Sequence, residues 1–187
     1  MTASQRWMLT GGRGVGKTTL CRALAERARL DGWDVAGLLS PAVFEGKIKT
    51  GILAENARTG ETRPLAGLKP YGSFDLPLGR WFFDRSTLDW GNQVLESSLP
   101  CRLLIIDELG PLELTRQEGW QAAFDILRRG EYEIALVVVR PELQEVVRQS
   151  LGLSETITID QTQRIDQGVR FYWPKIKAAA LNQCGIT

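Results

Sequence analysis

Short runs of apolar residues alternate along the chain with stretches in which apolar side chains recur every three or four positions. The runs have the length of buried strands and lie at residues 7–10, 35–39, 103–106, 134–139 and 156–159. The stretches with helical spacing lie at residues 17–30, 86–98, 116–129, 142–150 and 167–184, the last with an expected interruption near Pro174. Strands that alternate with helices predict right-handed βαβ units around a parallel sheet.

The segment that follows the second run departs from this alternation. Residues 48–54 and the turn sequence at 59–61 (TGE) predict a β-hairpin added to the sheet. Residues 67–78 are rich in glycine and proline and predict an irregular loop, and residues 80–83 predict a short strand. The expected fold is an α/β three-layer sandwich with a predominantly parallel central sheet and an inserted hairpin, folded as a single domain over residues 1–187.

The pattern within two segments predicts which side chains are buried. The run at 103–106 is bounded by Pro100 and Asp107 and is typical of a central strand covered on both faces. The helix at 116–129 is expected to bury one face and expose the other. Its buried face would carry Trp120, Ala123, Phe124 and Leu127, and its exposed face Glu118, Asp125 and Arg128.

Composition and charge exclude several classes of protein. The chain is 43% hydrophobic and 24% charged, and 23 basic against 22 acidic residues give a net charge of +1. Its longest basic cluster, Arg128-Arg129, is interpreted as a solvated helix face, so no nucleic acid partner is expected. No signal peptide or apolar run of about 20 residues is present, so a cytoplasmic protein without a membrane partner is expected. Oligomeric state is left open.

The chain contains no histidine, which limits the chemistry available to it. A Ser-His-Asp mechanism is excluded, and catalysis must depend on carboxylates, lysine, arginine and a metal ion. Cys21, Cys101 and Cys184 are widely spaced and form no CxxC motif. We interpret them as reduced thiols without a zinc site.

Residues 11–18 (GGRGVGKT) match the phosphate-loop pattern G-x-x-x-x-G-K-[ST]. Glycines let backbone N–H groups turn toward phosphate oxygens, and the helix that follows presents its positive end to the same oxygens. An ordinary glycine-rich turn is the alternative, but the predicted strand before the loop and helix after it favour a phosphate site. The predicted nucleotide-binding residues are Gly11, Gly12, Arg13, Gly14, Val15, Gly16, Lys17, Thr18 and Thr19.

Individual side chains of this loop have predicted roles. Lys17 supplies positive charge to the β- and γ-phosphates, which makes it a candidate catalytic residue. The Thr18 hydroxyl is expected to ligate Mg²⁺, and Thr19 to hydrogen-bond the α-phosphate.

Two consecutive carboxylates follow the strand at 103–106, at the sheet edge where the phosphate loop also lies. Asp107 is expected to hold Mg²⁺ through a coordinating water, and Glu108 to orient and deprotonate the attacking water. The alternative is that both merely cap a turn before Gly110. We predict Thr18 and Asp107 as the metal site, with Glu108 and Lys17 as catalytic residues.

Arginine and tryptophan side chains could complete the site. Arginine could stabilise charge on the transferring phosphoryl group, and the candidates are Arg13, Arg140 and Arg164. Trp81, Trp90 and Trp120 are interpreted as core residues rather than platforms for stacking a base.

With both motifs present, the chain resembles the THEP1-type nucleoside-triphosphatases, which have a P-loop NTPase fold. The similarity includes residues 9–20, 37–41 (GLLSP), 57–61 (ARTGE), 105–114 (IIDELGPLEL) and the pair at 163–164, where the family tends to have Asn-Arg. The resemblance implies hydrolysis of ATP, GTP and other triphosphates to diphosphates with little base preference. It also implies a role for Glu113, which the sequence alone places at a helix start near the positive dipole end.

The leading prediction is therefore an Mg²⁺-dependent nucleoside-triphosphate phosphohydrolase. A small-molecule or nucleotide kinase is an alternative because the same loop occurs in such enzymes, although the chain shows no compact arginine-rich lid segment. A slow nucleotide-dependent switch or accessory protein is a further alternative, against which Glu108 argues.

Overall fold

The computed structural model describes residues 4–181, in which ten strands form one sheet and helices pack on both of its faces. The strands are β1 (Gln5–Thr10), β2 (Val35–Leu39), β3 (Ala42–Glu45), β4 (Ile48–Asn56), β5 (Thr62–Gly67), β6 (Phe74–Leu78), β7 (Trp81–Asp84), β8 (Cys101–Leu109), β9 (Tyr132–Val139) and β10 (Glu155–Thr158). The helices are α1 (Lys17–Leu30), α2 (Arg85–Glu96), α3 (Pro111–Leu114), α4 (Ala122–Arg129), α5 (Gln144–Leu151), which follows a 3-10 turn at Pro141–Leu143, and α6 (Ile165–Leu181).

The sheet has two regions that differ in strand direction. Its order is β10-β1-β9-β8-β2-β4-β5-β7-β6, with β3 paired to β4. The first five strands of this order are mutually parallel, and we call them the parallel region. The remaining five lie within residues 42–84, pair antiparallel, and form the antiparallel region.

Side chains of the parallel strands alternate between two buried layers. On β8, Leu103 and Ile105 face the layer under α1 and α6, whereas Leu104 and Ile106 face the layer under α2, α4 and α5. All four are fully buried. A strand covered on both faces needs apolar residues at every position, which explains the continuous runs in the sequence. The predicted three-layer α/β architecture is confirmed.

The predicted hairpin is present as β4 and β5, but the sheet continues beyond it. The expectation of an irregular loop at 67–78 is wrong for its second part, because Phe74–Leu78 forms β6. Pro77 is accommodated there because β6 is an edge strand, whose outer N–H positions need no partner. Leu76 is buried from this strand, and β3, which the sequence did not indicate, pairs with β4.

The helix expected at 116–129 begins only at Ala122. Gln117 and Gly119 have φ values of 54° and 72°, and these left-handed conformations are incompatible with a continuous helix. Glu118, predicted to be exposed, is half-buried, and Phe124 is only partly buried. The burial predicted for Trp120, Ala123 and Leu127 and the exposure predicted for Asp125 and Arg128 are confirmed.

The last helix is not interrupted at Pro174, contrary to expectation, and runs through it as α6. Its buried residues Trp173 and Ile176 pack in the same layer as α1, and the Trp173 indole donates to Asp31 at 3.0 Å. This packing on both sides of the proline holds the helix despite the missing N–H. The part of the prediction beyond residue 181 lies outside the described residues. Within residues 4–181, no helix combines the length and apolar character needed to span a bilayer.

Two of the three cysteines lie within the described residues. Cys21 and Cys101 are buried free thiols, as predicted. Burial raises the pKa of Cys21 well above its ordinary value and that of Cys101 to about 12. Both are therefore protonated and unreactive near neutral pH. Cys184 lies outside the described residues.

Candidate active site

The phosphate loop connects β1 to α1 and depends on glycine at its two ends. Gly11 has a φ of 151°, and a Cβ at this position would lie 2.3 Å from the carbonyl oxygen of Ile159. Gly16 has a φ of 97° and immediately precedes α1. Side chains at these positions would clash or strain the backbone, so glycine sets the path of the loop.

The Lys17 side chain is buried against the phosphate loop. Its ammonium group donates to the carbonyl oxygens of Gly11 and Gly12, each at 2.8 Å. Thr18 is half-buried and Thr19 exposed in the first turn of α1. The structure thus brings the predicted cation and the predicted metal-binding hydroxyl together at one end of the helix.

Asp107 lies beside this helix end, near the carboxyl end of β8. It is 1% exposed, and its Oδ2 accepts the Ser40 amide at 3.1 Å. Burial raises the pKa of Asp107 to about 6, against the opposing effects of the Ser40 amide and the Thr18 hydroxyl. The two predicted metal ligands are therefore brought together.

Glu108 occupies a β-bulge. Asp107 pairs with Val138 and Leu109 with Val139, the next residue along β9, so Glu108 is an extra residue in the ladder. A bulge of this kind redirects the side chain that it carries. Glu108 forms an ion pair with Arg140, and both side chains are partly exposed.

The ion pair of Glu108 involves neither of the other two arginine candidates. Arg164 pairs with Asp166, two residues further along the chain, at 3.2 Å between Nε and Oδ1, and its side chain is largely exposed. Arg13 is exposed within the phosphate loop. Of the three candidates, the structure places Arg140 against the second carboxylate.

The antiparallel region contributes charges that the sequence did not reveal. Lys49 lies with its ammonium 5.3 Å from the ring centre of Trp81, and the Arg80 guanidinium stacks on the same ring at 4.7 Å. Burial lowers the pKa of Lys49, and the negative charges of Glu108 and Asp107 act in the opposite direction. The sequence around Lys49 gives no sign that this lysine lies near Glu108 and Asp107, because strand pairing in the sheet brings them together.

The tryptophans and the basic pair are placed as follows. Trp90 and Trp120 are core residues, as predicted, whereas Trp81 is half-buried and carries the stacked cations. Arg128 and Arg129 are exposed and pair with neighbouring carboxylates, which agrees with a solvated helix face.

Ser40 is a further residue that the sequence analysis did not single out. Its amide binds the Asp107 carboxylate, and its hydroxyl donates to the Asp107 carbonyl oxygen. The available signal was its position at the end of β2, which pairs with β8 and ends at the same edge of the sheet.

A glycine loop closed by a lysine, followed by a helix and faced by two carboxylates at the carboxyl edge of a parallel sheet, defines the P-loop nucleoside-triphosphatases. A family model described as NTPase matches residues 6–167, and the chain belongs to this family.

Similar proteins that carry the name nucleoside-triphosphatase THEP1 support this membership. The chain is 27% identical to nucleoside-triphosphatase THEP1 of Caldivirga maquilingensis over 157 residues, which cover 83% of this chain and 86% of the relative. It is 33% identical to nucleoside-triphosphatase THEP1 of Metallosphaera sedula over 132 residues, which cover 71% of this chain and 70% of the relative. The predicted resemblance is confirmed.

Solved structures share the fold. The solution structure of a human cancer-related nucleoside triphosphatase has a TM-score of 0.68 at 23% identity and covers 98% of this chain and 100% of that chain. The crystal structure of THEP1 from Aquifex aeolicus has a TM-score of 0.63 at 17% identity, covering 92% and 96%. The P-loop NTPase fold is thereby confirmed.

Proposed function

We propose that this protein hydrolyses nucleoside triphosphates to diphosphates and orthophosphate, with Mg²⁺ and with little selectivity for the base. The observation that carries the proposal is the arrangement of the two carboxylates. Asp107 lies near the Thr18 hydroxyl, whereas the adjacent Glu108 occupies the bulge and forms an ion pair with Arg140. One carboxylate is thus available for a metal and the other for water.

Phosphate binding is assigned to residues 11–19. The backbone N–H groups of the loop and the start of α1 provide the oriented donors that a triphosphate requires. Lys17 adds a positive charge held by two loop carbonyls, which it can exchange for the β- and γ-phosphate oxygens.

The residues present fit Mg²⁺. Thr18 and Asp107 offer a hydroxyl and a carboxylate, the oxygen ligands that Mg²⁺ prefers, and a metal ion bound beside the buried Asp107 carboxylate would stabilise its charge. Within residues 4–181 no group of three or more acidic or cysteine side chains could hold an ion by itself. Phosphate oxygens and water would complete the coordination, and the metal would neutralise charge on the reacting phosphates.

Glu108 acts as the general base in this proposal. Its carboxylate accepts a proton from the water that attacks the γ-phosphorus, and Arg140 holds the carboxylate in position. The same guanidinium is the candidate for stabilising negative charge that develops on the transferring phosphoryl group.

Low selectivity for the base follows from the groups that the assigned side chains recognise. These side chains would contact the phosphates, the metal ion and the attacking water, which are the same for every nucleoside triphosphate. Hydrolysis rates for different bases are therefore expected to differ by less than about tenfold.

Phosphate release from ATP, GTP, CTP and UTP, with and without Mg²⁺, tests the proposal when wild type is compared with Glu108→Gln. The carboxamide cannot accept the proton, so kcat should fall by about 10²- to 10⁴-fold while nucleotide affinity is retained. Glu142→Gln is the matched control, because Glu142 is an exposed carboxylate in the turn after Arg140.

Three results would contradict the proposal. Undiminished turnover in Glu108→Gln would remove that residue from the mechanism. Phosphate transfer that occurs only when an acceptor is supplied would indicate a kinase. Tight binding with negligible turnover by the wild type would indicate a nucleotide-dependent switch.

A further inference from the structure

Glu113 is a buried carboxylate to which the mechanism above gives no role. It lies in the single turn of α3 and is 6% exposed. Its Oε2 accepts the Gly110 amide at 2.8 Å, and its Oε1 accepts the Trp120 amide at 3.1 Å. One side chain therefore ties together the two ends of residues 110–120.

Capping a helix start does not by itself require a buried charge. Caps are ordinarily exposed, and neutral hydroxyl or amide side chains satisfy the same backbone groups. Here burial raises the pKa of Glu113 to about 7, although the amides of Gly110 and Trp120 favour the charged form. The two amide bonds only partly offset the cost of burying this charge.

Gly110 connects this carboxylate to Glu108. The position that a Cβ of Gly110 would occupy lies 3.6 Å from Glu108 Oε1 and 3.6 Å from Glu113 Oε2. Gly110 also follows Leu109, the residue at which regular pairing with β9 resumes after the bulge. Whatever holds the Gly110 amide therefore holds the end of the strand from which Glu108 projects.

The Trp120 end of the segment that Glu113 ties together is anchored in the core. Trp120 is 2% exposed, and a Cβ on Gly91 of α2 would lie only 2.1 Å from its ring. The Asn92 side chain also binds this segment, donating to the Gly119 carbonyl at 2.9 Å and accepting the Ala122 amide at 2.9 Å. Glu113 thus connects Gly110, through the Trp120 amide, to a segment that is packed firmly against α2.

We propose that Glu113 is a positioning residue for Glu108. By fixing the Gly110 amide against the anchored Trp120, it holds the bulged end of β8 so that the Glu108 carboxylate stays aligned with the attacking water. This inference rests on the proposed function, because it takes Glu108 as the general base.

Steady-state phosphate release by Glu113→Gln and Glu113→Ala in the full chain tests the inference, with thermal unfolding measured in parallel. Glutamine keeps one acceptor oxygen, and alanine keeps none. A misaligned base lowers kcat, so we expect a loss of about 10- to 100-fold for alanine and a smaller loss for glutamine. KM for the magnesium nucleotide should stay within about threefold of wild type, because no phosphate contact is removed.

Asp84→Asn is the matched control for loss of a buried capping carboxylate. Asp84 is 4% exposed and accepts the Thr87 amide at 2.7 Å at the start of α2. This variant should lower Tm but leave kcat within about twofold of wild type, since Asp84 does not bind the β8 end.

A double-mutant cycle with Glu108→Gln separates positioning from general destabilisation. If Glu113 acts through Glu108, then Glu113→Gln should change kcat by less than about twofold in the Glu108→Gln background. An equal loss in both backgrounds, or a lowered Tm with unchanged kcat, would overturn the inference. Failure of the proposed function has a different signature, namely no phosphate release by wild type or full turnover by Glu108→Gln, and it would overturn the inference as well.

Discussion

The parallel and antiparallel regions belong to one sheet but are stabilised differently. The parallel strands are covered by helices on both faces, and β8 and β9 are buried along nearly their whole length. In the antiparallel region β4 is mostly half-buried, and Phe44, Ile48 and Tyr71 are exposed. The parallel region is thus buried on both faces, whereas the antiparallel region is partly exposed to solvent.

The candidate site draws on both regions for different purposes. The parallel region supplies the groups that need a fixed geometry, namely the phosphate loop, Asp107 and Glu108. The antiparallel region supplies Lys49, whose charge interacts with those of Glu108 and Asp107. Substitutions in the parallel region should therefore cause large, specific losses, and those in the antiparallel region graded ones.

The largest effect is expected for Lys17→Ala. Two charge-assisted hydrogen bonds to phosphate, at about 1.5–3 kcal/mol each, correspond to at least a roughly hundredfold loss of nucleotide affinity. Titration calorimetry with a nonhydrolysable triphosphate measures it. Lys47→Ala, at an exposed lysine in the turn between β3 and β4, is the control from the other region and should bind normally. Equal weakening by both changes would abolish the distinction between the regions.

A smaller effect, on stability, is expected for Asp107→Asn without metal and nucleotide. Burial raises the pKa of Asp107 from 3.8 to about 6, so the folded state binds a proton that the unfolded state has released. The free energy of unfolding therefore falls by about 3 kcal/mol as pH rises from about 4 to 6, and it stays at this lower value above pH 6.

The asparagine variant should consequently be more stable than wild type at pH 8 and nearly equal to it below pH 4. Urea unfolding at the two pH values measures the difference. A variant that is less stable at pH 8 would show that the Asp107 charge is already compensated in the protein.

The smallest effect is expected for Lys49→Gln in the antiparallel region. Removing this cation leaves the potential around Asp107 and Glu108 more negative, which disfavours a triphosphate. KM should rise by about three- to tenfold with little change in kcat, and the increase should shrink at high salt. Lys47→Gln is the matched control. A loss confined to kcat would instead place Lys49 among the groups that contact the transition state.

The parallel region was largely predictable because its determinants are local. A strand buried on both faces shows itself as an unbroken apolar run, as at 103–106 and 134–139. The phosphate loop is contiguous, and two carboxylates at a strand end reach the same edge of the sheet as the loop. These features need no knowledge of distant contacts.

The features that escaped prediction depend on partners far along the chain. Pro77 argues against a strand until β6 is known to be an edge, and helical spacing around Trp120 continues through residues whose backbone is left-handed. The proximity of Lys49 to Glu108 arises from the pairing order of the strands. The bulge at Glu108 is likewise a property of two strands together, because it is defined by the register with Val138 and Val139.

That bulge has an evolutionary consequence. Because β9 pairs with the residues on either side of Glu108, the sheet does not need Glu108 to maintain its hydrogen bonds. Deleting this single codon would restore a regular ladder and leave the phosphate loop, Asp107 and both core layers in place. Under the function proposed above, the chain without Glu108 would still bind nucleotide but would lack its general base, so one deletion would convert a hydrolase into a nucleotide-dependent switch.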